Sequence, residues 1–315
     1  MHSRRQFFLG AAIPMMAPAA SITPRQRVDR AIAGQDTDRF AYSCWYHFSD
    51  EKEPAKVHAA NTLNFHRKFR TDLVKVMSDY GYPRSQAKWY ELRVESNPFP
   101  EQIRALELIR NGLQGEAHFV ETIFNPWTVA ENLSSKEEVL RLKKENPQAL
   151  LDALGVIARS EASHAKRAVA SGASGVFLAI ANAQEGVLTP EEYSKFSEPF
   201  DRMVLDAVNS APLNTLHIHG EKIYLSRFAK GWPATAIHYS SHASGIPIRQ
   251  LRQEYAGVIA GGIDERNFRT LVHTQMKRQV AFHEAGKKYI VAPGCSIPND
   301  TKDEEILRFA QMIGA

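Results

Sequence analysis

Eight short runs of apolar and β-branched residues recur along the 315-residue chain, interleaved with stretches of helical periodicity, and this alternation restricts the fold more than any other feature. The runs cover 40–47, 73–78, 118–124, 175–181, 214–219, 235–240, 257–261 and 289–292. Helices are expected over 146–171, 190–209, 267–285 and 303–313, with Gly172, Gly286 and Gly294 as turn signals near element ends. Eight strand–helix units in one chain of this length predict a parallel (β/α)8 TIM barrel, an α/β fold, with an open doubly wound sheet as the alternative. No linker, low-complexity tract or repeat interrupts the pattern, so one barrel domain is expected over 27–315.

In such a barrel the chemistry gathers where strands end and βα loops begin. His217-Ile218-His219 closes the fifth run and is followed by Gly220. Residues two apart on a strand share a face, so both imidazoles project together. Cys295, in Ala292-Pro293-Gly294-Cys295, stands at the end of the eighth run. Two imidazoles and a thiolate are zinc ligands, bonding at about 2.0–2.1 Å and about 2.3 Å, and three protein ligands leave one position open for chemistry. With 12 histidines in the chain, a His-x-His pair also arises by chance, one ring buried and hydrogen-bonded and the other at the mouth.

Other polar residues fall at the same end. Asp79 follows the second run, Glu185 the fourth, His238 and His242 the sixth, and Asp264 the seventh, while Tyr46 and His47 extend the first. Asp79 and His242 are candidate acid–base groups; Tyr46, His47, Glu185, His238 and Asp264 are candidate substrate contacts. Each has a structural alternative: Asp79 as a helix cap, the histidines as hydrogen-bonded scaffold, the aromatics as core. Gly261-Gly262 lacks the spacing of a dinucleotide fingerprint. A net charge of +4, with acids and bases interleaved as in Lys136-Glu137-Glu138, describes a solvated surface and excludes a nucleic-acid patch.

These residues resemble the uroporphyrinogen decarboxylase superfamily, which also contains zinc-dependent corrinoid and thiol methyltransferases. The likeness runs from about Arg27 to the C-terminus. It rests on Arg27-Val28-Asp29-Arg30-Ala31-Ile32-Ala33-Gly34, Phe124-Asn125-Pro126-Trp127 and Gly186-Val187-Leu188-Thr189-Pro190-Glu191-Glu192-Tyr193. Leu216-His217-Ile218-His219-Gly220, the segment 257–264 and Val291-Ala292-Pro293-Gly294-Cys295 complete it. The resemblance implies a (β/α)8 barrel, often dimeric, so a homodimer is expected.

The two branches of that superfamily imply different chemistry. In the decarboxylases an Asp after the second strand, here matched by Asp79, holds pyrrole nitrogens, and first-strand arginines bind carboxylates without metal or cofactor. Here Tyr42-Ser43-Cys44-Trp45-Tyr46-His47-Phe48 stands in place of the arginine-rich segment. A substrate with many carboxylates then loses its bidentate partners. The methyltransferase branch holds zinc through His-x-Cys and a distant Cys; His217, His219 and Cys295 match those positions, with a His replacing the first Cys. The more positive site activates a thiol, hydroxyl or water. The expected function is zinc-dependent methyl or related group transfer on a small, possibly methylated substrate, with a corrinoid on a partner protein as one methyl source. Carboxy-lyase action on a tetrapyrrole, or binding of a tetrapyrrole or corrinoid without turnover, are the alternatives.

The N-terminus bears on the metal. Ser3-Arg4-Arg5-Gln6-Phe7-Phe8-Leu9 has the form of a twin-arginine signal, followed by apolar residues to Met16 and small residues Ala17-Pro18-Ala19-Ala20 at a cleavage site. A signal peptide over 1–20 and a periplasmic or extracytoplasmic mature chain are expected. Ten apolar residues are about half the roughly twenty needed to cross a bilayer, so no stable membrane anchor is expected. In an oxidising compartment Cys44 and Cys295, on neighbouring strands of a closed barrel, compete for Cys295 by forming a disulfide. Export of a folded, already loaded protein favours the metal. Replacing Arg4 and Arg5 by Lys should leave full-length precursor in the cytoplasm on cell fractionation; unchanged periplasmic recovery would rule the signal out.

Overall fold

The structure is a computed structural model and describes residues 22–48, 54–77, 80–282 and 284–315. The expected signal at 1–20 and Asp79 lie outside the described residues. Eight strands form one parallel sheet: β1 (Ala41–Tyr42), β2 (Leu73–Val76), β3 (His118–Phe124), β4 (Val176–Ile180), β5 (Thr215–Ile218), β6 (Ala236–Tyr239), β7 (Val258–Ile263) and β8 (Tyr289–Pro293). Their order, β1-β8-β7-β6-β5-β4-β3-β2, curls the sheet into a nearly closed (β/α)8 barrel.

Strand parity separates two cores. Leu178, Ile180, Leu216, Ile218, Ile237 and Val291 point outward and pack with Leu150, Leu154, Val204 and Phe309 of the helical layer. Leu73, Val120, Phe177, Ala236, Val258, Ala260 and Ile290 fill the barrel, capped below by Val28 and Ala31 of the helix Pro24–Ala33. That helix begins in a capping box between Thr23 and Gln26 and ends at Gly34, whose φ of 70° favours glycine. His118, at the foot of β3, bonds Asp29 Oδ1 of the same helix at 2.7 Å through Nε2 and Ser174 Oγ at 2.7 Å through Nδ1.

Three sequence expectations are corrected. The first run, read as strand over 40–47, forms a ladder only over Ala41–Tyr42. Beyond the Ser43 N–H bond to Val291 O the chain departs from the sheet, and Trp45 O accepts from Ile297 N at 3.1 Å. The helix expected over 190–209 divides into Pro190–Phe196 and Glu198–Asp206. Pro199 has no N–H to continue the first helix, and Ser197 turns its hydroxyl to Asp201 Oδ2 at 2.9 Å. The helix expected over 267–285 is a short 3-10 turn, Phe268–Thr270, then His273–Phe282, because buried Leu271 is extended. The helix Asp303–Ile313 forms as read. Among the described residues no helix is long and apolar enough to cross a membrane.

The seam between β1 and β2 has no regular ladder and depends on one carboxylate. Asp72 is fully buried; its Oδ2 accepts from Tyr42 N at 3.0 Å while its own N–H bonds Tyr42 O at 2.9 Å. Arg27 reaches Oδ1 at 2.6 Å and Arg39 reaches Oδ2 at 2.5 Å. Ser43 Oγ adds a bond to Leu73 O at 2.8 Å. Removing one partner of a buried ionic cluster leaves uncompensated charge, a loss of about 3–5 kcal/mol. Asp72→Ala should therefore lower the unfolding free energy by about that amount in urea titrations. A loss below about 1 kcal/mol, the scale of a solvated pair, would mean that the seam closes without it.

Candidate metal centre

The inward parity of β5 sets the site. Leu216 and Ile218 are committed to the outer core, so His217 and, one step past the strand, His219 turn into the barrel mouth. Gly220 follows at φ 135°, and a Cβ there would lie 2.2 Å from Gln184 Oε1. Only glycine lets the chain turn away against that side chain. His217 is buried and His219 exposed, so one ring is held within the barrel and the other reaches the mouth.

Cys295 approaches from β8. At Gly294 an added Cβ would meet Ser240 Cα at 2.4 Å and Glu265 Oε2 at 2.7 Å, so the bare glycine allows the β8 end to close against the β6 and β7 loops. The thiol then lies with Sγ 3.8 Å from His217 Nε2 and 3.5 Å from His219 Nδ1. All three donor atoms fall within 4.8 Å of one another, a group that could hold a metal ion. Ligand bonds of about 2.3 Å to sulfur and about 2.0–2.1 Å to nitrogen give a tetrahedral S···N edge of about 3.6 Å. The residues fit a zinc ion with three protein ligands.

A second histidine fixes the first. His238 Nε2 donates to Pro293 O at 2.9 Å, which leaves its Nδ1 as a lone pair 2.8 Å from His217 Nδ1. His217 must then carry its proton on Nδ1 and turn the Nε2 lone pair to Cys295. Burial pushes His238 down to about 3. It also holds His217 well below the ordinary histidine range, with His238 and His219 adding to the effect. Both rings are therefore neutral at physiological pH, as ligation requires. Trp45 and Phe177 pack beneath them, with ring centroids 5.0 Å and 5.3 Å from that of His238.

The thiol is electrostatically prepared as well. Burial alone would raise Cys295, but hydrogen bonding and charge from His219 and the nearby Lys75 carry it below the usual thiol value. The same bond to Cys295 raises His219. Lys75, buried in the barrel, lies 4.7 Å from the Phe177 ring centroid and 5.4 Å from that of Trp45, favouring thiolate in its vicinity. Cys44 and Cys295 are both free thiols; Cys44 is enclosed and raised by burial.

The remaining sequence candidates are dispersed. Tyr46 meets Phe48 edge-on and Phe65 at a tilt, with centroids at 5.2 Å and 5.3 Å. His47 lines a cavity beside β3. Glu185 is exposed and pairs with Lys222 at 3.1 Å. Asp264 accepts from the backbone of Arg266 at 3.0 Å and Asn267 at 3.2 Å, holding the turn after β7. His242 Nε2 bonds Gly262 O at 3.2 Å. Two groups near the centre escaped the sequence reading. Glu265, next to the chosen Asp264, is buried and accepts from Ser240 Oγ at 2.8 Å, and its charge acts on His219. Lys75 lies within a strand, where inward parity against Val74 and Val76 was the available signal.

The uroporphyrinogen decarboxylase (URO-D) family profile matches residues 80–315. A uroporphyrinogen decarboxylase of Trichodesmium erythraeum is 29% identical over 181 residues, 54% of this chain and 49% of that protein. One from Carboxydothermus hydrogenoformans is 29% identical over 124 residues, 38% of this chain and 35% of its own length. The chain thus spans about half or less of the curated relatives it matches. Among solved structures, a methyltransferase from Methanosarcina mazei superposes with a TM-score of 0.77 at 17% identity, covering 93% of this chain and 98% of that one. At that identity the likeness establishes the fold.

Purified protein should carry about one zinc per chain by inductively coupled plasma mass spectrometry, and Cys295→Ala or His217→Ala should lose it. His238→Ala removes only the partner that sets the His217 tautomer, and zinc affinity should fall about 10–100-fold in chelator competition. Unchanged affinity in His238→Ala would remove His238 from the centre.

Proposed function

Because this chain belongs to the uroporphyrinogen decarboxylase (URO-D) family, we propose that it is a zinc-dependent enzyme of methyl or related group transfer, with His217, His219 and Cys295 as its metal ligands. The observation that carries the reading is the convergence of these three donors from β5 and β8 in the barrel mouth. The N/S donor set suits zinc, and the methyltransferase of Methanosarcina mazei shares the fold over nearly its whole length.

The chain's own residues supply orientation and a dry floor. The Pro293–His238–His217 hydrogen-bond chain holds one proton on His238 Nε2 and one on His217 Nδ1, so a ligand lone pair is presented without reorganisation. Trp45, Phe177 and Met77 exclude water from below. His219 faces the open side, flanked by the buried Glu265, which Ser240 holds in place. Glu265 is a carboxylate whose charge acts on His219 and is the proposed proton acceptor for a substrate group entering there. Zinc bound at this site would supply Lewis acidity, holding a thiol, hydroxyl or water in its nucleophilic form.

The substrate is proposed to be a small compound, with a corrinoid on a partner protein as methyl source and with the mature enzyme acting outside the cytoplasm as a homodimer. A second reading, metal-independent decarboxylation of a tetrapyrrole centred on Asp79, is favoured by the names of the curated relatives. The segment 42–48 opposes it, since it lacks the arginines that many carboxylates need. Methyl transfer from methylcobalamin to a panel of small thiols, followed by the corrinoid absorbance, distinguishes the two. Activity should fall at least about 100-fold with chelator or in Cys295→Ala, and zinc should restore the chelated enzyme, a loss of at least about 2.7 kcal/mol in transition-state stabilisation. Uroporphyrinogen decarboxylation that survives chelation would establish the second reading.

A further inference from the structure

A cavity of about 320 Å³ lies beside the C-terminal end of β3, away from the three metal ligands. Aromatic side chains of Tyr80, Tyr82, Phe99 and Phe124 wall it, and Glu161 and His164 line it from the helix Pro147–Ala170. Three residues apart, these two share one face of that helix. Each is only 1% exposed. Glu161 Oε2 and His164 Nδ1 have no hydrogen-bond partner among the described residues. An unpaired buried polar atom is costly, and the two residues that carry these atoms both line this one cavity.

The surrounding bonds define what they can accept. His164 Nε2 bonds Glu121 Oε1 at 2.9 Å, and Glu121 Oε2 receives Gln102 Nε2 at 2.7 Å. A carboxylate on Nε2 places a ring proton there, and in that neutral tautomer Nδ1 presents a lone pair. Glu161 adds an unpaired carboxyl oxygen, Oε2. Two of the hydroxyls nearby are committed: Tyr82 donates to Ser160 Oγ at 2.8 Å and Thr122 to Val76 O at 2.6 Å. The cavity therefore combines an unpaired carboxyl group, an imidazole nitrogen and aromatic rings. An ammonium group brings three donors, no acceptor and a positive charge that aromatic rings attract.

We propose that this cavity is a binding site for a small primary amine in its ammonium form, held by Glu161 Oε2 and His164 Nδ1 between the rings of Tyr80, Tyr82, Phe99 and Phe124. Burial and the nearby Asp201 raise Glu161 well above the carboxylate range, and an arriving cation offsets that cost. Binding itself is independent of the metal centre; the cavity's service as the anchor for one end of the substrate rests on the zinc-enzyme reading.

Isothermal titration of the purified protein with n-propylammonium, n-propanol and propionate tests the site, with zinc content measured on the same samples. Propylammonium should bind one per chain, at least about tenfold more tightly than propanol, and propionate should not compete. Glu161→Gln keeps the side-chain shape and should weaken the ammonium about tenfold or more with zinc content unchanged. Equal binding of amine and alcohol by the wild type, or an unaltered ammonium affinity in Glu161→Gln, overturns the proposal. If Glu161→Gln does not fold, the wild-type selectivity and the position of propylammonium in a soaked crystal decide, density elsewhere overturning it. Full zinc without amine selectivity refutes this site alone, whereas amine binding in protein that takes up no zinc refutes only the metal centre.

Discussion

The buried Asp72 carboxylate is the interaction on which the rest of this barrel depends. No main-chain ladder closes the sheet between β1 and β2, where the Asp72 N–H bond to Tyr42 O crosses the seam. The Asp72 carboxylate closes it by binding the Tyr42 amide and drawing Arg27 and Arg39 into the same seam. Arg27 belongs to the helix that caps the barrel floor, so one carboxylate joins floor, first strand and second strand. Ring closure also fixes the curvature that brings the end of β8 opposite that of β5. The ladders joining β5, β6, β7 and β8 carry that curvature to the strand ends from which His217, His219 and Cys295 converge.

Within the closed ring, the site follows from parity and from two glycines. Outward Leu216 and Ile218 force His217 and His219 inward; Gly220 and Gly294 then permit the close approaches that an added Cβ would block. Burial keeps the inner imidazoles neutral, and the His238 bridge to Pro293 O selects which nitrogen of His217 faces the thiol. The thiol is lowered by His219 and by Lys75 beneath the aromatic floor. A neutral His217 beside an incipient thiolate suits zinc, whereas His219, raised by its bond to Cys295, would release its proton on ligation.

Family membership and local chemistry point to different branches. Curated relatives named uroporphyrinogen decarboxylase share 29% identity over partial lengths, whereas the first-strand segment carries aromatic residues, a cysteine and a histidine in place of arginines. A barrel keeps its fold while its loops change chemistry, because the strands are held by the core and the mouth residues are not. The donor set in the mouth therefore bears more directly on the reaction than the relatives' names do.

The sequence by itself determined the eight-strand alternation, the inward pairing of His217 with His219 and the pairing of both with Cys295 as candidate ligands, because strand periodicity and residue chemistry are local properties. It misjudged the extent of β1 and the continuity of the helix after Pro190, where a departure from the sheet and Pro199 override apolar periodicity. Only the tertiary structure decided that His238 orients His217, that Glu265 rather than Asp264 lies by His219, and that Glu161 and His164 line one cavity. The first two join residues 20 or more apart in the chain, and the third depends on what the neighbouring elements leave open against one face of a helix. Such relations exist only once the ring has closed.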